Sequence, residues 1–226
     1  IQLPSHDPST LVSAMAAVTE HLVFGVTVNL SYESPYQFAR RFASLDHLTH
    51  GRIGWNMVTG YLDSAQRLIG ENGLKDHDRR YEQAEEFLQL CYKFWEGSWE
   101  DDAMLKDKQQ RIFTDPAKVH QVNHQGQFYR SQGVFQVSPS VQRTPVLFQA
   151  GASPRGMAFA TQHAEGMFIG GDHPDKIKKQ VDQIRRQATE QGRDPEAIKI
   201  FVGITVVTAE TDEIAQQKLE EYRAYA

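Results

Sequence analysis

Apolar runs of strand length alternate with amphipathic stretches of helix length along most of the chain. This alternation is typical of parallel α/β proteins, in which a helix follows each strand and packs on the sheet. The predicted strands are Leu22–Asn29, Arg52–Val58, Val146–Gly151, Gly166–Gly170 and Ile198–Val207. The predicted helices are Pro35–His50, Asp78–Glu96, Pro154–His163 and Pro174–Gln191, with one before Leu22 that starts at Pro8 and is capped by Asp7, and one from Thr211.

The segment 100–142 interrupts the alternation. It opens with the acidic residues 100–102, which we interpret as a solvated loop rather than a cation site. Val119–Val137 then has the pattern of a β-hairpin that turns around residues 124–126. We therefore interpret residues 1–226 as one domain with 100–142 as an insertion.

Five strand–helix units are compatible with two folds. A closed (β/α)8 barrel has eight strands and typically about 250 residues, so three units would be missing from this chain. The last helical pattern also reaches Ala226 without a capping Gly or Asn, and we expect the chain to be a fragment. An open doubly wound sheet is the alternative, but the G-x-G-x-x-G fingerprint that would favour it is absent from the sequence.

Three of the predicted strands have one large apolar face and one small or polar face. Thr27, Asn56 and Gln149 lie on the second kind of face, toward the carboxyl ends of their strands. In a barrel that face is the interior, and barrel enzymes keep their active sites at the carboxyl ends. We therefore predict that these three side chains converge on one ligand; the alternative is that they only satisfy one another.

The segment Gly151-Ala152-Ser153-Pro154-Arg155-Gly156 follows a strand and opens a helix. With Ser153 as N-cap and Pro154 as the first helical residue, free backbone N–H groups and the positive helix end suit an anion such as phosphate. Ordinary capping by Ser153 is the alternative. A hydrolase nucleophile elbow is excluded because Arg155 replaces its last glycine and Pro154 has no N–H for an oxyanion hole.

His77 and Tyr81 are four residues apart where the long helix begins. Residues at this spacing share a helix face, so both side chains can hydrogen-bond a phosphate or a chain of hydroxyl groups. The alternative is that His77 belongs to a loop and that Tyr81 packs in the core.

Composition excludes several classes of protein. The chain has 24 Lys and Arg against 29 Asp and Glu, a net charge of −5 and a pI near 6.0, which argues against nucleic-acid binding and a polybasic membrane surface. No apolar run approaches the ~20 residues of a membrane span. The single Cys91 is expected in the core, and without a signal segment we expect a cytoplasmic protein. His120 and His124 would lie ~13 Å apart on a strand, so we expect no metal site.

Longer motifs resemble the bacterial luciferase-like flavin monooxygenases. They are AMAAVTEHLVFGVT, PYQFARRFASLDHLTHGRIGWNMVTG, HDRRYEQAEEFLQLCYKFWE, FTDPAKVHQVNHQGQFYRSQG and PVLFQAGASPRG, in that order. The chain is most similar to the subgroup that contains nitrilotriacetate monooxygenase component A, dibenzothiophene-sulfone monooxygenase and pristinamycin synthase. Members of the family are considerably longer, and their N-terminal strands and C-terminal part have no counterpart here.

The resemblance implies a TIM barrel that uses FMN as FMNH2, supplied by a separate NAD(P)H:flavin reductase. It implies a monooxygenase that oxygenates a small organic substrate with O2 through a flavin C4a-peroxide, with the chemistry on the cofactor rather than on a protein nucleophile. Homo-oligomers are usual in the family. The alternatives are a deazaflavin-dependent oxidoreductase of the same superfamily and a non-catalytic barrel fragment; the sequence does not predict the substrate.

The residues expected to bind the flavin follow from the same resemblance. The family's flavin contacts fall on Thr27, Asn56, His77, Tyr81 and Ser153, with Gln149 and the backbones of Gly151 and Ala152 beside them.

Overall fold

The computed structural model describes residues 6–151, 153–171 and 173–225. The strands within these ranges are β1 (Phe24–Asn29), β2 (Ile53–Val58), β3 (Gln121–Gln125), β4 (Arg130–Val134), β5 (Val146–Ala150), β6 (Gly166–Ile169) and β7 (Lys199–Val202). The α-helices are α1 (Ser9–Ala17), α2 (Pro35–Thr49), α3 (Asp63–Leu68), α4 (His77–Trp95), α5 (Pro154–His163), α6 (Pro174–Glu190) and α7 (Asp212–Arg223). No helix in the described ranges is long and apolar enough to cross a membrane.

Five of the strands form one parallel sheet in the order β1-β2-β5-β6-β7, and β3 pairs with β4 in a separate antiparallel hairpin. Each sheet strand therefore lies beside the next sheet strand along the chain. This order is that of a (β/α)8 barrel wall, whereas a doubly wound sheet reverses its order at a switch point. The barrel prediction is confirmed, with five of its eight strands present, and the doubly wound alternative is wrong.

The helix boundaries follow from local capping chemistry. At the start of α2, the Ser34 side chain accepts a hydrogen bond from the Gln37 N–H, and Pro35 occupies the first turn. The helix ends where His50 and Gly51 adopt positive φ angles of 53° and 81°. Because these signals are local, the helix prediction for residues 35–50 is confirmed to within one residue.

Three local predictions need correction. The first helix begins at Ser9, so its N-cap is Pro8 and not the predicted Asp7. The Asp7 Oδ1 still accepts a hydrogen bond from the Ser9 N–H at 2.9 Å. Helix α3 was not predicted, because its segment follows a Gly-containing stretch with no clear apolar period. The hairpin turns at residues 126–129 and not at the expected residues 124–126, because residues 124 and 125 still pair with β4.

Strand β7 is shorter than the predicted Ile198–Val207. It covers Lys199–Val202 and pairs only with β6, which itself has four residues. The last contact along this edge is a hydrogen bond of 3.3 Å from the Gly203 N–H to the Ile169 carbonyl. A strand can continue only while its neighbour offers backbone partners, so the apolar residues after 203 stay outside the sheet.

The core lies between the sheet and helices α2 and α4. Trp55 of β2 is fully buried, and its ring centroid lies 4.2 Å from that of Phe38, 6.1 Å from that of Phe42 and 6.0 Å from that of Phe87. Its indole N–H donates to the Val28 carbonyl at 3.1 Å, so this large side chain leaves no polar atom unpaired. This cluster fixes α4 against the sheet.

The hairpin is held against α4 by one carboxylate, that of Glu86. This side chain accepts hydrogen bonds from His124 Nε2 at 3.0 Å, from the Tyr129 N–H at 2.8 Å and from the Phe128 N–H at 3.0 Å. Burial raises the pKa of Glu86, but these three donors outweigh burial, and the pKa is lowered overall. The sequence placed His120 and His124 on one strand, whereas His120 precedes β3 and contacts Glu100 instead.

Candidate functional site

The strand registers decide which polar side chains share a face. Thr27 lies beside Asn56, and Asn56 lies beside Phe148, so these three residues are on one face of the sheet. Gln149 lies beside Met57 and therefore on the opposite face, which the helices cover. The prediction that Thr27, Asn56 and Gln149 share one face of the sheet is wrong, because the register places Gln149 on the opposite face from the other two. Their contact with one ligand stays a prediction.

Two glycines explain why Phe148 takes the inner face. Gly166 lies beside Phe148 in the register, and Gly54, which lies beside Val146 on the other neighbouring strand, also faces the Phe148 ring. A methyl group on Gly54 would lie 2.8 Å from the Phe148 ring, and one on Gly166 would overlap the same ring. The inner face thus has room for one large ring at β5 because both neighbours lack a side chain, a pairing that a single strand's pattern does not show.

Thr27 and Asn56 form a polar pair on the inner face. The Asn56 Nδ2 donates to the Thr27 Oγ1 at 3.0 Å, while the Asn56 Oδ1 is buried and has no hydrogen-bond partner among the described residues. A buried amide oxygen without a partner is costly, and such groups in native proteins commonly mark a ligand site. The pair can therefore offer an acceptor to a ligand N–H group.

Tyr81 projects from the first turns of α4 toward the start of α5. It is 5% exposed, and its ring lies between those of His77 and Phe159, with centroid distances of 5.1 Å and 5.7 Å. Its hydroxyl oxygen accepts a hydrogen bond from the Gln149 Nε2 at 3.3 Å. A methyl group on Gly156 would come within 2.5 Å of the same oxygen, so the hydroxyl reaches the first turn of α5.

The start of α5 has the predicted geometry of an anion site. Ser153 is the N-cap and accepts the Gly156 N–H at 3.0 Å, Pro154 occupies the first turn, and that turn contains no acidic residue. A cleft of about 610 Å³ opens onto this helix end and is also lined by His77. Unpaired N–H groups and the helix dipole make such an end favourable for a phosphate group.

His77 and Gly151 complete this side of the site. The His77 Nδ1 lies 2.9 Å from the Asp78 Oδ1, which leaves the other ring nitrogen to the cleft. A methyl group on Gly151 would lie 3.0 Å from both amide atoms of Gln149, so this glycine packs directly against the amide. Ala152, which was also expected to contact a cofactor, lies outside the described residues.

The predicted site residues thus fall into two groups at the carboxyl end of the sheet. Thr27 and Asn56 form an inner-face group, and five residues form a helix-end group. The helix-end group comprises His77, Tyr81, Gln149, Gly151 and Ser153. A ligand with a planar ring system and an anionic tail could contact both groups, the ring system at the inner-face group and the anion at the helix-end group. No single helix or strand carries both groups.

Sequence reasoning missed a second cleft beside Thr27. Its volume is about 690 Å³, and its walls include Val58, Tyr61 and Leu62 together with an ion pair between Glu33 and Arg41. The spacing of eight residues between Glu33 and Arg41 gave no signal in the sequence. The chain turn at residues 31–34 is what brings the two charges together.

The comparisons with known proteins cover nearly the whole chain. A model of the family described as luciferase-like monooxygenase matches residues 2–226. The chain is 49% identical to the long-chain alkane monooxygenase of Geobacillus thermodenitrificans over 225 residues, 100% of this chain and 51% of that protein. It is 51% identical to the dimethyl-sulfide monooxygenase of Hyphomicrobium sulfonivorans over 225 residues, 100% of this chain and 47% of that protein. The chain therefore spans about half the length of these curated relatives.

A solved structure agrees in fold. The crystal structure of a riboflavin lyase with modified FMN and riboflavin superposes with a TM-score of 0.91 at 46% identity, covering 97% of this chain and 49% of that chain. The three enzymes of the subgroup predicted from the sequence also match, each over 95% of this chain. The predicted subgroup and the barrel type are thereby confirmed.

Proposed function

The chain belongs to the luciferase-like monooxygenase family, and we propose that it serves an FMNH2-dependent monooxygenase reaction on a small organic substrate. In such a reaction one oxygen atom of O2 enters the substrate, the other leaves as water, and the reduced flavin supplies two electrons. Relatives named as monooxygenases of an alkane, a sulfide and a sulfone support the reaction class. Their substrates differ, so they do not identify one for this chain.

The observation that carries the proposal is the helix-end group beside α5. Ser153, Tyr81 and His77 surround one helix N-terminus, where a phosphate oxygen would meet N–H and O–H donors. The Tyr81 hydroxyl proton has no acceptor among the described residues, and the Asn56 Oδ1 has no donor. The Tyr81 hydroxyl could donate to the phosphate of FMN, and the Asn56 Oδ1, on the other face of the sheet, could accept from a ring N–H of FMN.

When bound, the reduced flavin would supply the electrons that activate O2. The residues of this chain have simpler tasks. The helix-end group would hold the phosphate, and Thr27 with Asn56 would orient the ring system against the inner face.

A negative charge added at the phosphate site tests the proposal. Ser153→Asp retains a good N-cap for α5 but places a carboxylate where the phosphate would lie. We expect FMN and FMNH2 binding, measured by flavin fluorescence quenching, to weaken by about tenfold to a hundredfold, as expected for the loss of charged hydrogen bonds. Riboflavin, which has no phosphate, should bind to parent and variant alike.

The matched control is Thr211→Asp, at the N-cap of α7, which lines neither cleft. It should leave the binding of both flavins unchanged. Equal losses for FMN and riboflavin in Ser153→Asp, or no loss at all, would contradict the phosphate assignment. A parent chain that binds neither flavin would contradict the proposed function itself.

Delivery of FMNH2 by a separate NAD(P)H:flavin reductase belongs to the same proposal, as does a homo-oligomeric assembly. Support for a separate partner comes from a relative named as component A of its monooxygenase. The test is NADH oxidation by the chain with FMN, with a flavin reductase present or omitted, and sedimentation equilibrium for the assembly state. NADH oxidation without the reductase would contradict the need for a separate reductase, and a monomer in sedimentation would contradict the assembly.

A further inference from the structure

Gln149 lies on the helix-covered face of the sheet, where a polar side chain has no obvious use. It is 2% exposed, and its neighbour in the sheet register is Met57. Its Nε2 donates to the Tyr81 hydroxyl oxygen at 3.3 Å, while its Oε1 is buried without a partner among the described residues. A buried amide that has a hydrogen bond at its nitrogen but none at its oxygen lowers the stability of the fold. This cost suggests that the contact of Gln149 with Tyr81 has a function.

The direction of this hydrogen bond determines what Tyr81 can do. Because the amide N–H donates, the phenol oxygen is an acceptor on that side and its own proton stays available. The described residues offer that proton no acceptor. The hydroxyl also lies against Gly156 and near the Ser153 cap, so an anion bound at the start of α5 could accept its proton in a hydrogen bond.

We infer that Gln149 is a positioning residue that directs the Tyr81 O–H proton toward a phosphate group bound at the N-terminus of α5. This inference rests on the proposed function and assigns Gln149 a role through Tyr81 rather than on the flavin ring. Gly156 is part of the same arrangement, because any side chain there would displace the hydroxyl. The Tyr81 ring packs against the rings of His77 and Phe159, which hold it beside the start of α5.

A double-mutant cycle with two flavins tests the inference. Gln149→Met removes the amide donor at similar volume, and Tyr81→Phe removes the hydroxyl. Gln149→Met should weaken FMN binding by about threefold to tenfold, the usual effect of one hydrogen bond, and change riboflavin binding by less than about twofold. In the Tyr81→Phe background the same substitution should have no further effect on the ratio of FMN to riboflavin affinity.

Two further variants guard against a trivial loss of folding. Gln149→Glu keeps the shape of the side chain, but its carboxylate would accept the Tyr81 proton, so the preference for FMN over riboflavin should fall here as well. Gln187→Met is the matched control, since Gln187 of α6 also has a buried, unpartnered amide oxygen and lines neither cleft. It should leave both affinities unchanged.

Equal losses of FMN and riboflavin in Gln149→Met would show a purely structural role and overturn the inference. Additive effects of the two substitutions would overturn it too, because Gln149 would then act independently of the hydroxyl. If the parent binds neither flavin, the proposed function fails on its own, and inorganic phosphate becomes the probe. Broadening of its ³¹P resonance by the parent but not by Gln149→Met would then support the inference, and equal or absent broadening would refute it.

Discussion

Gly156 makes room for the Tyr81 hydroxyl, and replacing it with alanine should destabilise the protein although alanine is the better helix former. A methyl group on Gly156 would lie 2.5 Å from the Tyr81 oxygen and 2.9 Å from the Ser153 Oγ. To reach an ordinary contact of 3.4 Å, the phenol oxygen would have to retreat by about 0.9 Å. The ring has little freedom to do so, since His77 and Phe159 flank it.

The opposing contributions can be compared. Replacing glycine by alanine inside a helix gains about 1 kcal/mol. Overpacking a tight site costs about 1–3 kcal/mol, and loss of the Gln149–Tyr81 hydrogen bond adds about 1 kcal/mol. We therefore expect Gly156→Ala to lower the free energy of unfolding by about 1–3 kcal/mol, measured by urea denaturation followed by circular dichroism.

The Tyr81→Phe background separates this cause from others, because it removes the oxygen that the methyl group strikes. There, Gly156→Ala should cost at least about 1 kcal/mol less than in the parent chain. Gly203→Ala serves as the baseline, since an added methyl group at that position meets nothing within 4 Å. The same cost for Gly156→Ala in both backgrounds, or stabilisation in the parent, would refute the reasoning.

Three further predictions concern the scaffold. The pKa of Glu86 is lowered in the folded protein, so its contribution to stability is present above the ordinary value of 4.5 and is lost as the pH falls through the lower folded value; Glu86→Gln should flatten the dependence of unfolding free energy on pH in that range, and the exposed Glu190→Gln should not. Asp46→Ala removes the acceptor of the Gln142 backbone N–H at 2.7 Å and one of the two acceptors of the Gln142 Nε2, which keeps its bond to the Ile53 carbonyl. Urea denaturation should show a loss of about 1–3 kcal/mol, against less than about 0.5 kcal/mol for the exposed Asp182→Ala. Burial, with a smaller effect of Glu33, raises the pKa of the Cys91 thiol. A thiol reagent at pH 8 should therefore modify the unfolded chain completely and the native protein hardly at all. A fast reaction of the native protein would contradict the buried position of Cys91.

The clearest limit of sequence reasoning lies in β5. Alternation along one strand divides its side chains into two faces but does not say which face points inward. The usual rule, large apolar residues toward the helices, works for Phe24 and Trp55, which are buried there. It fails for Phe148, because Gly54 and Gly166 on the neighbouring strands leave space for a large ring on the inner face.

Features that depend on residues close together in the chain could be predicted from the sequence. The helix starts at Ser34-Pro35 and Ser153-Pro154 were predictable because capping and the fixed φ of proline act within one turn. The alternation of strands and helices predicted a parallel sheet, and the absence of the G-x-G-x-x-G fingerprint together with the family motifs favoured the barrel order that the sheet has. The motifs shared with the family carried the rest of the prediction, including the group of residues at the start of α5.

Contacts between distant segments of the chain could not be predicted and are seen only in the folded protein. Gln149 is hydrogen-bonded to Tyr81, which is 68 residues away in the chain. The Glu86 carboxylate accepts the backbone N–H groups of Phe128 and Tyr129, 42 and 43 residues away. Strand β7 ends where β6 ends. Such contacts depend on register and on the space that neighbouring elements leave, and neither is encoded in the periodicity of one segment. The sequence could therefore suggest candidate site residues, but it could not predict their division between the two faces of the sheet, which depends on register.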